Sequence, residues 1–296
     1  MTPALARLLD ALEAEAPDAV ARGRVALGRA LGWLDRTDWP EAAWAFSGLA
    51  SGTPLELVWR PGRPGLFWTA EPAAPELPRP RRLRRGLAVL RANGTGLGPG
   101  REGLVRRVCR DAPGAWPVFV AGRHDGAGRD TGKAYVQAVR VPLGFADLGR
   151  HLLPQDRPMM TGIASTGQRE LYWERRCQPG DLWRMRQVPA LRDLAEALEA
   201  ELQRWTGQGL DAAWKLGLSQ SVGPDGTPLA LAAFLHPRQA GGIDAVLRRL
   251  LDQGGAANPA LADACRAGRL RPMLLTLAVS GGQAQQALGL RLPGLA

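Results

Sequence analysis

Along this chain, short stretches that alternate apolar and polar residues come in pairs, and each pair flanks a segment rich in Gly, Asp or Pro. The first pair is Pro54–Trp59 and Leu66–Glu71, joined by Arg60–Gly65. The second is Trp116–Ala121 and Lys133–Arg140 across Gly122–Gly132, and the third is Met159–Ala164 and Arg169–Arg175 across Ser165–Gln168. The fourth is Trp214–Ser219 and Pro228–Leu235 across Gly223–Gly226, and the fifth is Met273–Val279 and Gln285–Leu292 across Ser280–Gly282. Period-two runs bounded by turn residues are the signature of β-hairpins. Between them the period changes to that of an amphipathic helix. Leu5, Leu8, Leu9 and Leu12 share one helical face, as do Leu191, Leu194, Leu198 and Leu202. Val246, Leu247, Leu250 and Leu251 make a third helix, Leu87–Val108 a broken fourth and Phe145–Leu153 a short fifth.

A hairpin cannot bury an apolar face alone, and a row of hairpins exposes unpaired edges. Ten strands linked by hairpins and helical crossovers remove both problems by closing on themselves. The expected fold is therefore α+β: a ten-stranded antiparallel barrel of five α-β-β-α repeats surrounded by helices, with residues 1–296 as one domain. Two stacked α+β subdomains are the alternative, but no stretch reads as a linker. Gly94–Gly100 lies between helical segments and does not follow a strand, so it is a connector and not a phosphate-binding loop.

Helices packed on the outside of a barrel invert the usual strand rule. Apolar positions point outward, and polar ones line the lumen. By alternation Glu56 and Val58 share the inner face of their strand, opposite Leu55, Leu57 and Trp59. Lys133, Tyr135 and Gln137 align in the same way, as do Glu170, Tyr172 and Glu174, and Lys215, Gly217 and Ser219. Both lysines and both tyrosines of the chain fall on these inner faces.

The chain is 45% hydrophobic and 22% charged, which is a globular composition. Its 38 basic against 28 acidic residues give +10, suited to an anionic partner: nucleic acid, a membrane surface or a phosphorylated small molecule. The arginine run Arg79–Arg85 is followed by Leu87 and Leu90 at helical spacing, and so reads as the solvated start of a helix. The three cysteines are far apart, giving neither a disulfide framework nor a zinc spacing. The start of the chain lacks the pattern of a signal peptide, and no apolar run is long enough for a membrane span, so a cytoplasmic protein is expected. His124, His151 and His236 sit at element ends and are expected to be exposed. No acidic run suits magnesium, and no metal site is expected.

The five-hairpin layout, with Gly52–Trp59 and Trp68–Pro72 in the first hairpin, is similar to the ABBA aromatic prenyltransferases, and this hairpin resembles their indole (dimethylallyltryptophan synthase) branch. Thr161–Ser165 with Glu170–Glu174, and Leu216–Ser219, are more similar to the peptide-modifying cyanobactin branch. The resemblance implies transfer of an isoprenyl group from a soluble allyl diphosphate (dimethylallyl, geranyl or farnesyl) to an aromatic acceptor, an indole or tryptophan, free or within a peptide. It implies Glu56 as the catalytic group contacting the acceptor, and Lys133, Lys215, Arg60 and Arg140 on the diphosphate. Tyr135, Tyr172, Trp68, Gln137 and Glu174 would line the cation shield and acceptor pocket. No cofactor is required, and Mg2+ would serve only as a diphosphate counter-ion. The chain departs from the family in its few tyrosines, and in lacking an arginine on Leu66–Ala70. Its fourth return strand, Leu229–Phe234, also offers almost no polar or aromatic lumen residue. A basic nucleic-acid- or partner-binding protein, and a barrel that binds a hydrophobic ligand without chemistry, are the alternatives; nucleic acid and membrane are not the expected partners.

Overall fold

The computed structural model describes residues 2–36, 47–49, 51–112, 118–138, 160–176, 185–207, 215–254 and 259–292, excepting the side chains of 36, 173–176, 215, 216, 253 and 254. The expected helix Phe145–Leu153 lies outside them.

Ten strands form the expected hairpins. They are β1 (Leu55–Trp59), β2 (Gly65–Ala70), β3 (Phe119–Asp125), β4 (Asp130–Gln137) and β5 (Met160–Ala164), then β6 (Arg169–Arg176), β7 (Lys215–Val222), β8 (Pro228–Leu235), β9 (Arg271–Ser280) and β10 (Gln283–Arg291). Each strand pairs antiparallel with its sequence neighbour, and β10 returns to pair with β1, so the sheet is a closed barrel without edges. All five hairpin turns consequently lie at one end, the mouth.

Seven helices are described: α1 (Pro3–Glu13), α2 (Pro17–Leu31), α3 (Arg79–Ala92), α4 (Pro99–Asp111), α5 (Arg192–Thr206), α6 (Ile243–Gly254) and α7 (Pro259–Arg266). α1 begins where the Leu5 N–H donates to the Thr2 hydroxyl at 3.2 Å, leaving Leu5, Leu8, Leu9 and Leu12 buried. The broken helix of the sequence pattern is α3 and α4, and the arginine run opens α3.

The outward faces of the strands and the inward faces of the helices build one apolar layer running from Leu5 to Leu292, with Leu55, Leu57, Trp59, Leu87, Leu198 and Leu277 among its buried members. Burial of this layer, at about 25 cal/mol per Å² of apolar surface, is the main force closing the barrel.

Two helices escape the leucine pattern. α2 buries Ala19, Gly23, Ala26 and Ala30 besides three larger residues, and a side chain at Gly23 would come within 2.8 Å of Leu66. Small residues let this helix lie close on β2 and β3, at the cost of a clear hydrophobic period. α7 buries Leu261, Ala262, Ala264 and Cys265 over only eight residues. The second hairpin is also longer than its sequence suggested. Gly122 and Gly132 read as turn residues, but they are paired with each other inside the ladder, which continues to His124↔Asp130. They are glycines for lack of space: a Cβ would lie 2.5 Å from the Trp68 indole at Gly122, and 2.7 Å from the Thr95 carbonyl at Gly132.

Candidate active site

Residues directly paired across neighbouring strands share a face, so the ladder registers define the lumen. Glu56 pairs with Thr69, Thr69 with Ala121, Ala121 with Lys133 and Lys133 with Ala164. A second row runs Phe119, Tyr135, Gly162, Glu170, Ser221, Ala230 and Ser280. A third runs Gln137, Met160, Tyr172, Ser219, Ala232, Ala278 and Gln285. The expected inner positions Glu56, Lys133, Tyr135, Gln137 and Tyr172 all lie in these rows.

The centre of the constellation is an ion pair. The Lys133 ammonium donates to Glu170 Oε2, and to the Tyr172 hydroxyl at 3.0 Å; the Tyr172 hydroxyl also donates to the same carboxylate oxygen. Gln168 Nε2 donates to the other oxygen at 2.9 Å. Lys133 is only 4% exposed and Glu170 7%. The ammonium lies 4.9 Å from the Tyr135 ring centre, so one aromatic face already sits against a cation here, while at Tyr172 it meets the hydroxyl edge, 5.4 Å from the ring centre. Tyr172 in turn contacts Phe234, with ring centres 5.8 Å apart. Gly162 makes the crossing possible, because a Cβ there would meet the Lys133 stem at 2.5 Å and the Tyr135 ring at 3.1 Å. Burial pushes the Glu170 carboxyl toward its neutral form, but the charges of Lys133 and Arg123 and the hydrogen bonds from Lys133 and Ser221 outweigh it and hold its pKa below the usual range.

Toward the mouth stand two arginines. Arg60, in the turn after β1, lies over the Phe67 ring at 5.0 Å. Burial first, and then repulsion from Arg123 and Arg63, lower its pKa to about 9. Arg123 was missed by the sequence reading, because the glycines around it suggested a turn. Register puts it on the inner face between Phe67 and Thr131. A cavity of about 80 Å³ lies between Arg123, Lys133, Gln168 and Glu170. A larger one of about 230 Å³ lies between Arg60, Arg63, Thr276, Ala278 and Gln285.

Deeper in the lumen the Glu56 carboxylate lies over Gly289, where a Cβ would approach Oε1 to 3.0 Å. Among the described residues no hydrogen bond or ion pair holds it. Burial pushes its pKa up to about 7.

Two sequence expectations change. Trp68 pairs with Leu57 and Gly122, faces the helices and is 1% exposed, so it cannot line the lumen. His124 is not exposed: it is 2% accessible on the outer face beneath α2, stacked on Trp68, with Nδ1 3.2 Å from Asp130. Burial holds it below the usual histidine pKa despite that carboxylate. Phe234 restores an aromatic to the strand that had seemed to lack one. Arg140 lies outside the described residues, as do the side chains of Lys215 and Glu174, although the β6–β7 ladder pairs Glu174 with the inner-face Gly217. No cluster of metal-ligating residues occurs among the described residues, and none of their helices is long and apolar enough to cross a membrane.

The closed barrel with its ring of helices has solved counterparts. It matches the 5-dimethylallyltryptophan synthase from Streptomyces coelicolor with a TM-score of 0.71 at 17% identity, over 96% of this chain and 95% of that one. The 6-dimethylallyltryptophan synthase from Micromonospora olivasterospora, in complex with DMASPP and Trp, matches with 0.70 at 16% identity, over 98% and 96%. The fold is the prenyltransferase barrel. AnaPT from Neosartorya fischeri shares it more distantly, with a TM-score of 0.58 at 14% identity over 98% of this chain and 92% of that one. No family model and no curated protein sequence matches the chain. At such identities the barrel and its helices are what the likeness shows.

Proposed function

We propose that this protein is an aromatic prenyltransferase, moving an isoprenyl group from an allyl diphosphate to an indole or tryptophan, free or within a peptide. The observation that carries this reading is the joint placement of a cation cluster, two tyrosine faces and a high-pKa carboxylate inside one closed barrel. Arg60, Arg123 and Lys133 would hold the diphosphate at the mouth, with Arg140 and Lys215 as further candidates from their sequence positions. Magnesium enters only as a counter-ion carried by the diphosphate.

The allylic C–O bond breaks with its electron pair going to the diphosphate, leaving an allyl cation. Arginine and lysine stabilise the departing anion, while the faces of Tyr135, Tyr172 and Phe234 stabilise the cation by about 1–2 kcal/mol each when water is excluded. Glu56 accepts a hydrogen bond from the acceptor N–H, making the ring a better nucleophile. The ring carbon then bonds to the allyl cation, and its proton passes to the Glu56 carboxylate, which restores aromaticity. Gln137, whose Oε1 is buried with no hydrogen-bond partner among the described residues, offers a second acceptor for a substrate N–H. Glu174 stays in the acceptor pocket on its strand position, and Trp68 leaves it. The cytoplasmic setting and a role in natural-product or peptide modification follow from this reading.

The test is incubation with tryptophan or a tryptophan peptide and dimethylallyl, geranyl or farnesyl diphosphate, followed by mass spectrometry for an added prenyl unit. Glu56→Gln should lower turnover by about 100-fold, the lower end for loss of a positioned acid–base group. Absence of product with every pair, together with no retention of an allyl diphosphate analogue, would sink the reading.

A further inference from the structure

The carboxylate at the centre of the cation cluster is the feature that diphosphate binding alone does not explain. A site built only to hold an anion has no use for a buried glutamate, which weakens the local positive field. Every charged or titratable group that faces Glu170 among the described residues is known. Lys133 and Tyr135 come from β4, Gln168 from the turn before β6, Tyr172 from β6, Ser221 from β7, Arg123 from β3 and Arg60 from the turn after β1. β5 contributes only Gly162 and Ala164 at this level. Glu170 thus owes its charged state chiefly to Lys133 and Arg123, two of the cations that a diphosphate would recruit.

We propose that Glu170 is a displaceable counter-ion: binding of the allyl diphosphate draws Lys133 away from it and is coupled to uptake of one proton by the Glu170 carboxylate. The inference rests on the diphosphate-donor reading above and deepens it.

The physical argument is one of competition in a buried space. The Lys133 ammonium has three N–H donors, and two of them are committed to Glu170 and Tyr172. Phosphate oxygens entering the adjacent 80 Å³ cavity, which Lys133, Arg123 and Glu170 themselves line, compete for those donors. They also bring negative charge within contact distance of a second buried anion, and two adjacent buried anions do not both stay ionised. Protonation of Glu170 resolves the conflict. The neutral carboxyl can then donate to a phosphate oxygen or to Tyr172. Without a ligand the ion pair keeps the cations compensated and sets the ammonium against the Tyr135 ring and the Tyr172 hydroxyl, so donor binding both fills the anion site and frees the Tyr135 face for the allyl cation.

The direction of the pH effect follows. Because the free protein holds Glu170 ionised and the complex holds it protonated, the complex binds the extra proton and its affinity falls as pH rises. Arg60, with its pKa near 9, also takes up protons near alkaline pH, so the glutamate must be isolated by difference. The experiment is isothermal titration of the full chain with dimethylallyl thiolodiphosphate at pH 7.5, in buffers of different ionisation enthalpy, for wild type and Glu170→Gln. Wild type should take up about one proton more per ligand than the variant, and its affinity relative to the variant should fall by up to about tenfold per pH unit. Infrared difference spectra of wild type alone should show a protonated-carboxyl band appearing on ligand binding, which keeps the test independent of the variant's folding. Binding with the same proton count in both proteins and no new carboxyl band would overturn the displaceable counter-ion and leave the donor reading standing. No binding of the analogue to wild type would overturn both.

Discussion

The two sides of the barrel lumen are built from different residues. From β2 to β6 the inner face carries Phe67, Arg123, Lys133, Tyr135, Glu170 and Tyr172, tied together by an ion pair and aromatic contacts. From β8 to β10 it carries Ala230, Ala232, Ala278, Ala287 and Gly289, with Phe234 reaching across to Tyr172. The first side is preorganised: Lys133 pairs with Glu170, the Tyr135 ring leans on Tyr172, and Arg60 lies over Phe67. The second leaves space. The transfer proposed for this chain needs both, a wall that stabilises charge at fixed positions and a wall against which bulk can be accommodated. Glu56 stands at the seam, on β1 between β2 and β10, with its carboxylate over Gly289 of the small-residue side.

The sharpest way to break this comparison is Lys133→Ala. It removes a proposed diphosphate ligand and should lower kcat/KM by about 100- to 1000-fold, as loss of one preorganised charge-stabilising group does. It also strands Glu170 in the interior, at a cost of about 3–5 kcal/mol in a denaturation experiment. The double variant Lys133→Met with Glu170→Met should regain most of the stability and none of the activity. Recovery of activity in that double variant would show that the charged side is only structural.

At the seam, Glu56 tests how dry the lumen is. A carboxyl whose folded pKa is raised holds its proton more tightly in the native state, so its ionisation opposes folding. The protein should lose stability as pH rises from about 4.5 through about 7, by up to about 3 kcal/mol for this group. Glu56→Gln should abolish that decline, read as urea midpoints at pH 5 and pH 8. An unchanged pH slope in the variant would mean that the carboxylate is already solvated.

The small-residue side should give the mildest effect. Ala278→Leu projects into the 230 Å³ cavity and leaves every charged group in place. It should disfavour the larger of any two accepted substrates by roughly tenfold, in the range of a few methylenes in a hydrophobic pocket, while thiolodiphosphate affinity is kept. Equal losses for small and large substrates would remove the distinction between the two sides.

Much of the lumen was legible because strand alternation is local. Once Leu55, Leu57 and Trp59 are taken as outward, Glu56 must point in, and the same logic located Lys133, Tyr135, Gln137 and Tyr172. Failures arose where a residue type has two physical uses. Gly122 and Gly132 looked like turn formers, but they are strand residues emptied of side chains to admit Trp68 and Thr95, and misreading them concealed Arg123. Trp68 seemed a candidate ring for the lumen, yet its pairing with Leu57 turns it toward the helices. α2 went unseen because its packing face is made of alanine and glycine, which allow close approach without marking a period.

By itself, then, the amino-acid order determined the hairpins, the outward and inward alternation and the closure of the sheet, since each follows from short-range periodicity and the need to satisfy edges. Only the tertiary structure decided that Lys133 on β4 and Glu170 on β6 neutralise each other. It also decided that Arg123 and Arg60 converge on the same mouth and that Phe234 backs Tyr172. Those relations depend on ladder register between distant segments, and in a closed barrel register is set by packing all ten strands at once.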